Sequence, residues 1–352
     1  MSVQVSVHAG TLTPAPPPQT MPDATHSDPT PAQAAALVVL RSSQRILLTG
    51  HERPDGDCIG AQAALSRILA QLGHEVTILN PDPPEPQYEY LSSACAYGVD
   101  DGGALPAHDL LVLLDCAELS RTGSLAERFA AAPSRKMVLD HHVLPAEPWW
   151  DVAFHDVTAS STGLLVHRIA RALSVELDAI AASGIFTSMV TDTGWFKYSN
   201  TDAETLAVAA ELVHMGVAPH ELFSAIYQRR DAAHPRAVAG VLERVAYHAN
   251  GRLAVADLPL GPEGKPVQLD TEDVLDLLRS VRAVEVVLLV REIERGVCKL
   301  SARSKSTYDV NALARRFGGG GHVKASGATI RGALGDVRAR LVAAAEEGFD
   351  AA

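Results

Sequence analysis

Short apolar runs recur through the first half of the chain, separated by longer stretches whose apolar positions repeat at helical spacing. ILLTG (46–50), VTILN (76–80), LLVLLD (110–115) and MVLD (137–140) are too short for helices and mostly apolar, so each predicts a strand buried on both faces. The clearest intervening helix is Gly60–Leu72, and another opens the series at about Pro31–Ser43. Strands and helices alternating in this way predict an α/β unit with a mainly parallel sheet flanked by helices. From Ser160 to about Tyr247 the pattern turns mostly helical. Thr201, with Glu204 three residues on, has the spacing of a capping box.

A second, smaller α/β block follows, with strands expected at LAVAD (253–257), VEVVLLV (284–290) and VCKLSAR (297–303). A short helix is expected from an N-cap at Asp309 to Phe317, with Gly318 just past its end. The polar stretch RRDAAHPR (229–236) predicts the junction between the blocks. Seven prolines fall within residues 11–31, a composition that cannot build a packed core and predicts a disordered tail.

With 352 residues, 47% of them apolar and 20% charged, the chain has material for two folded domains. The net charge of −12 argues against a protein that coats long nucleic acids. Four cysteines without a CxxC pair point to a reducing compartment. No apolar run is long enough for a membrane span, and the first thirty residues lack the basic and apolar regions of a signal peptide. A cytoplasmic protein away from the membrane is expected.

Four segments carry the candidate chemistry: His51-Glu-Arg-Pro-Asp55-Gly-Asp57-Cys58, Asp115, Asp140-His141-His142, and Thr191-Asp192-Thr193-Gly194. Each alone reads as a turn or a helix cap. Three of them, however, follow predicted parallel strands, where open α/β sheets bind ligands. Carboxylates pooled there would raise one another's pKa unless divalent cations neutralise them. An oxygen-rich set with imidazole and no thiolate suits Mn²⁺ or Mg²⁺ better than a structural zinc site, with the histidines tilting towards Mn²⁺. The donors are too many for one ion. Two ions roughly 3.5–4 Å apart supply a hydroxide and stabilise both oxygens of an in-line displacement at phosphorus.

The second block holds the other constellation: Arg303, then Gly318-Gly319-Gly320-Gly321-His322. Between Arg295 and Lys324 stand seven Lys or Arg (295, 299, 303, 305, 315, 316, 324) against the single acid Asp309, a local charge of +6 in an acidic chain. Four consecutive glycines would let backbone N–H groups close on phosphate oxygens, and a helical turn starting at His322 would add its positive end.

In order and spacing the motifs HxxPDGDxxG, LLD, DHH, TDTGxF and GGGGH resemble the DHH phosphoesterase superfamily, in the branch with a C-terminal DHHA1 domain that includes nanoRNase/pAp phosphatases. The likeness covers roughly residues 33–350. It implies an N-terminal DHH catalytic domain (32–230), a linker (231–245) and a DHHA1 substrate-binding domain (246–352), after the tail of 1–31. It implies that His51, Asp55 and Asp115 hold one Mn²⁺ (or Mg²⁺), and that Asp57, His141 and Asp192, bridged by Asp115, hold a second. The catalytic residues it implies are His142, which contacts the phosphate or protonates the leaving oxygen, Asp140, which orients it, and Asp115. Arg303, Gly318–Gly321 and His322 would clamp the substrate's terminal nucleotide across an interdomain cleft. Phe196 and Tyr198 could stack on a base or pack in the core. Cys58 and Cys116 depart from the pattern without removing a donor.

Superfamily members with an added oligonucleotide-binding domain, membrane anchors or a pyrophosphatase-type C-terminal domain do not fit these features. The implied activity is hydrolysis of short RNA or DNA oligomers (nanoRNA) to mononucleotides and of pAp to AMP, with room for a homodimer. The rival enzyme reading is a phosphodiesterase for c-di-AMP or pApA. A nucleotide-binding regulator without catalysis would need a missing donor, and none is missing.

Overall fold

The structure is a computed structural model that describes residues 28–350, so the expected tail falls, up to residue 27, outside the described residues. The chain divides into two compact units between Arg229 and Arg230.

In the first unit, helix α1 (Pro31–Ser42) precedes β1 (Arg45–Thr49), α2 (Gly56–Gln71), β2 (Glu75–Asn80), α3 (Glu89–Ser92), β3 (Tyr97–Val99) and β4 (Leu110–Leu114). Then come α4 (Ala126–Ala131), β5 (Arg135–Asp140), β6 (Val152–His155), α5 (Thr162–Leu173), α6 (Ala179–Asp192), α7 (Ala203–His214) and α8 (Pro219–Tyr227). The six strands form one sheet in the order β3-β2-β1-β4-β5-β6, every neighbouring pair parallel. All five residues of β4 are buried, as expected of a strand covered on both faces. The direction of winding reverses between β1 and β4, and the crevice beyond their carboxyl ends is where such sheets bind ligands. The edge strands β3 and β6 were not expected, because three- and four-residue edges carry too little pattern to stand out.

Two helix starts correct the sequence reading. Helix α2 begins at Gly56 rather than Gly60, because Asp55 Oδ1 accepts from the backbone N–H groups of Asp57 (3.0 Å) and Cys58 (3.2 Å) as an N-cap. The cap of α7 is Asp202, which accepts from Thr205 N at 2.8 Å, and not Thr201. Glu204, freed from a capping box, pairs with Arg168 at 2.8 and 2.6 Å. Helices α2 and α6 pack closely at Gly60 and Gly184. A Cβ on either glycine would overlap the other's carbonyl oxygen.

The second unit comprises α9 (His234–Leu242), β7 (Ala246–His248), β8 (Leu253–Leu258), α10 (Glu272–Arg279), β9 (Val286–Glu294) and β10 (Val297–Ser304). It continues with α11 (Val310–Arg315), β11 (Gly320–His322), β12 (Ala325–Arg331) and α12 (Leu334–Asp350). Its sheet runs β11-β12-β10-β9-β8-β7, antiparallel except for the parallel pair β8–β9. One cluster joins Leu288 and Leu300 of the sheet to Leu313 of α11 and Leu341 of α12, and another joins Ala254 and Leu289 to α9 and α10. The two-domain α/β class is therefore as expected. The segment 231–245, expected as a linker, instead contains α9, whose Val238 and Val241 are buried in the second unit's core. Pro235 lies in that helix's first turn, where its missing N–H costs nothing, so it starts the helix rather than breaking it.

Candidate metal centre

Three strands and two helices deliver the acidic and imidazole side chains of the first unit. His51 follows β1, Asp115 follows β4, and Asp140 ends β5, with His141 and His142 directly after it. Helix α2 carries Asp57 in its first turn, and α6 ends on Asp192. Asp115 leaves its strand at φ +62°, in the left-handed region that aspartate tolerates better than most residues. Its Oδ2 lies 3.4 Å from His51 Nε2, and its Oδ1 lies 3.7 Å from His141 Nε2 and 3.7 Å from His142 Nδ1. His141 Nε2 is also 3.4 Å from Asp57 Oδ2 and 3.8 Å from Asp192 Oδ2.

The opposite ring atoms decide what those nitrogens are. His51 Nδ1 faces the Glu52 carbonyl at 2.8 Å, and His141 Nδ1 faces the Ala159 carbonyl at 3.1 Å. A carbonyl only accepts, so in the neutral rings Nδ1 carries the proton and Nε2 turns a lone pair towards carboxylate oxygens. His141 Nε2 is buried without a hydrogen-bond partner. Lone pairs facing carboxylates at these distances repel unless a cation or a proton lies between them.

The electrostatics agree. Burial, then the charges of Asp57, Asp55, Asp140 and Asp192, push the Asp115 carboxyl well above the usual range. Burial followed by Asp57 and Asp55 raises Asp192 to about 8, with His142 opposing. Asp140 behaves differently. Burial works against its charge, but the His142 ring and backbone hydrogen bonds hold its carboxyl below the ordinary value. Asp57 is tied in by the start of α5, accepting from Thr162 N at 2.9 Å and Gly163 N at 3.2 Å, and by α6, accepting from the Ser188 hydroxyl. The donors of Asp57, Asp115, Asp192, His51 and His141 are oxygen and imidazole, suited to a divalent cation, and the raised carboxyls are what such an ion would bring down.

Among the described residues three groups place one donor atom per residue within 4.8 Å of one another: Asp115/His141/His142, Asp57/His141/Asp192 and His51/Cys58/Asp115. Asp55, expected as a ligand, is in none of them. Its Oδ1 caps α2, and it acts on Asp115 and Asp192 through its charge. The sequence reading missed Asn200, whose Nδ2 donates to Asp192 Oδ2 at 3.1 Å, along with the Thr162 and Ser188 supports of Asp57. Only the Ser161-Thr162-Gly163 helix start hinted at them. Phe196 stacks edge-on against Phe186 with ring centroids 6.1 Å apart and packs on the core, the second of its two expected roles.

In the second unit the expected phosphate cradle looks different. Helix α11 stops at Arg315, short of the expected Phe317, and Gly318 sits in the turn after it at φ +74°, its N–H bonded to Arg315 O (3.1 Å), while the Gly319 N–H bonds Ala314 O (3.0 Å). Two of the expected phosphate donors are thus already spent. Gly320–His322 form β11 beside β12, so no helical turn starts at His322. Cβ atoms at Gly319 and Gly321 would overlap the backbone of Gly327 and Ala325, so β12 itself demands those glycines. The basic block is partly neutralised. Arg303 Nη2 pairs with Glu272 at 2.5 Å and Arg316 with Glu347 at 2.8 Å, while Lys305 Nζ donates to the Arg279 (2.9 Å) and Val281 (2.5 Å) carbonyls.

Comparison with known proteins agrees with this architecture. The family model described as "DHH family, N-terminal domain" matches residues 45–217, and the DHHA1 domain model matches 250–349. The bifunctional oligoribonuclease and PAP phosphatase NrnA of Thermus thermophilus is 36% identical over 288 residues, 82% of this chain and 84% of that protein. Its namesake in Bacillus subtilis is 29% identical, over 81% of this chain and 89% of the relative. The crystal structure of an exopolyphosphatase-related protein from Bacteroides fragilis shares the fold, with a TM-score of 0.83 at 24% identity over 90% of this chain and 96% of that one. With both domains matched and a relative this similar along most of its length, the chain belongs to the DHH family of proteins that carry a DHHA1 domain.

Proposed function

We propose that this chain is a metal-dependent phosphoesterase that hydrolyses very short RNA or DNA oligomers to mononucleotides and pAp to AMP. The observation that carries the reading is the convergence of His51, Asp57, Asp115, His141 and Asp192 beyond the strand ends, with imidazole lone pairs turned onto carboxylates. Of these substrates, the names of the Thermus thermophilus and Bacillus subtilis relatives give oligoribonucleotides and PAP. Two divalent cations, Mn²⁺ for choice and Mg²⁺ otherwise, would be held by His51, Asp115 and the nearby Asp55, and by Asp57, His141 and Asp192 together with Asp115. When bound, such ions supply Lewis acidity at phosphorus and a nucleophile at neutral pH.

The chain's own groups do the rest. His142, oriented by Asp140, protonates the leaving oxygen. Arg303 and His322 hold the far phosphate, which requires Arg303 to exchange Glu272 for substrate. The compartment we propose is the cytoplasm. The four cysteines are free and buried, which fits a reducing environment, and among the described residues no helix is long and apolar enough to cross a membrane.

The test is a panel of initial rates with Mn²⁺ on pAp, a length series of oligoribonucleotides, c-di-AMP and pApA. Rapid turnover of pAp and the shortest oligomers, lost on chelation, is the expected result. Faster opening of c-di-AMP than of pAp overturns the substrate assignment, and no turnover of any member with Mn²⁺ or Mg²⁺ overturns the reaction class.

A further inference from the structure

One side chain at the metal centre is neither oxygen nor imidazole. Cys58, the third residue of α2, is fully buried, and its sulfur occupies the space above Gly50 at the end of β1, where any Cβ would overlap it. Donor atoms of His51, Cys58 and Asp115 lie within 4.8 Å of one another, and all three residues are buried. His51 Nε2 and Asp115 Oδ2, 3.4 Å apart, already stand at about the donor spacing of a tetrahedral ion with bonds of about 2.0–2.3 Å. His141 Nε2, buried without a hydrogen-bond partner, faces the other oxygen of the same Asp115 at 3.7 Å. The remaining donor groups, Asp57/His141/Asp192 and Asp115/His141/His142, contain no sulfur.

We propose that His51, Cys58 and Asp115 form a soft-metal site, which captures a thiophilic divalent cation such as Zn²⁺ or Cd²⁺ in competition with the oxygen-preferring ion of the hydrolase. The centre is then asymmetric, with one position open to sulfur ligation and the other limited to oxygen and imidazole. Thiolate ligands select zinc-like ions, and for a given donor set divalent zinc binds more tightly than manganese. Capture is ligand exchange. The hydrated ion gives up a bound water to solvent, the thiol S–H breaks with its proton going to solvent, the sulfur lone pair forms the bond to the ion, and no electron changes hands. The inference rests on the metal-centre reading, and it adds that a thiophilic ion displaces Mn²⁺ from this position with the help of Cys58.

The experiment is a Cd²⁺ titration of the full-length chelated protein, followed by the sulfur-to-cadmium charge-transfer absorption in the ultraviolet. One equivalent of Cd²⁺ should develop the band in the wild type. Cys58→Ser should abolish it, with a Cd²⁺ affinity weaker by about tenfold or more. A variant carrying Cys95→Ser, Cys116→Ser and Cys298→Ser, with Cys58 as its sole thiol, should keep the band, which tests the site without touching Cys58. No band in the wild type, an undiminished band in Cys58→Ser, or its loss from the sole-thiol variant overturns the inference. Hydrolysis with Mn²⁺ is measured on the same samples. Activity without the band removes the soft site alone, and the band without activity on any substrate removes the proposed reaction while leaving the soft site standing.

Discussion

His142 Nδ1 lies 2.8 Å from Asp140 Oδ1, and the backbone N–H of His142 donates to the same oxygen at 3.1 Å. One buried carboxylate oxygen thus sets both the ring and the peptide of His142, while His155 Nε2 holds the His142 carbonyl at 2.8 Å. The pairing keeps a proton on Nδ1 and sets the direction of the ring, so the proton given to the leaving oxygen would be a second one, carried on Nε2.

Asp140→Asn should therefore lower kcat on pAp by about a hundredfold, the scale of one positioned acid–base group, with a KM change of less than about threefold. Bound metal measured by elemental analysis should match the wild type. A kcat within about threefold of wild type would show that His142 needs no orientation from Asp140.

Asp115→Ala and Asp192→Ala should each abolish turnover, because each removes a donor shared with His141. Near-normal rates in metal-replete buffer from either variant would break the ligand assignment.

The metal-free protein should lose stability as pH rises. Asp192 titrates near 8 in the folded state, against about 3.9 for an ordinary aspartate, so between those values the folded state holds a proton that the unfolded state has released. The stabilisation is complete below about pH 4 and drains away up to about pH 8, and the still more raised Asp115 acts in the same direction. In chelator, Tm should fall from pH 5 to pH 8, Mn²⁺ should restore more at pH 8 than at pH 5, and Asp192→Asn should flatten the slope. A chelated Tm that rises across this window contradicts the electrostatic account. The Asp192 side chain is 31% exposed, so its share is smaller than that of Asp115 at 3%.

Gly60→Val should destabilise the protein by about 1–3 kcal/mol or more, since its side chain would be driven into the Gly184 backbone. Because α2 carries Asp57 and α6 carries Asp192, Mn²⁺ affinity should fall with Tm. Thermal melts with and without Mn²⁺ read both, and an unchanged Tm would mean that the two helices part without cost.

Arg303→Ala should raise KM for pAp and short oligomers by about tenfold, the loss expected from one charge-assisted contact, while metal content stays constant. Kinetics unchanged on every short substrate would remove Arg303 from the site.

Local chemistry was enough for much of this protein. Apolar runs of four to six residues declared β1, β2, β4 and β5, and the polar residues at or directly after the ends of three of them marked where the candidate metal-binding side chains gather. Both signals are short-range, since burial of a strand and the turn that ends it depend on neighbours within a few positions. The sequence also marked the DHH and DHHA1 motifs and the helix starting at Asp309. What the tertiary structure decided was how each group is spent. The Asp55 cap of α2 is local as well, reaching residues two and three positions on, whereas its charge acts on Asp115 and Asp192 only through the fold. The glycine run closed a helix and packed on β12 rather than leaving all its amides open, and Arg303 and Arg316 met Glu272 and Glu347 from distant parts of the sequence. The convergence of Cys58 with His51 and Asp115 likewise depends on β1, β4 and α2 packing together, a long-range relationship that no local pattern encodes.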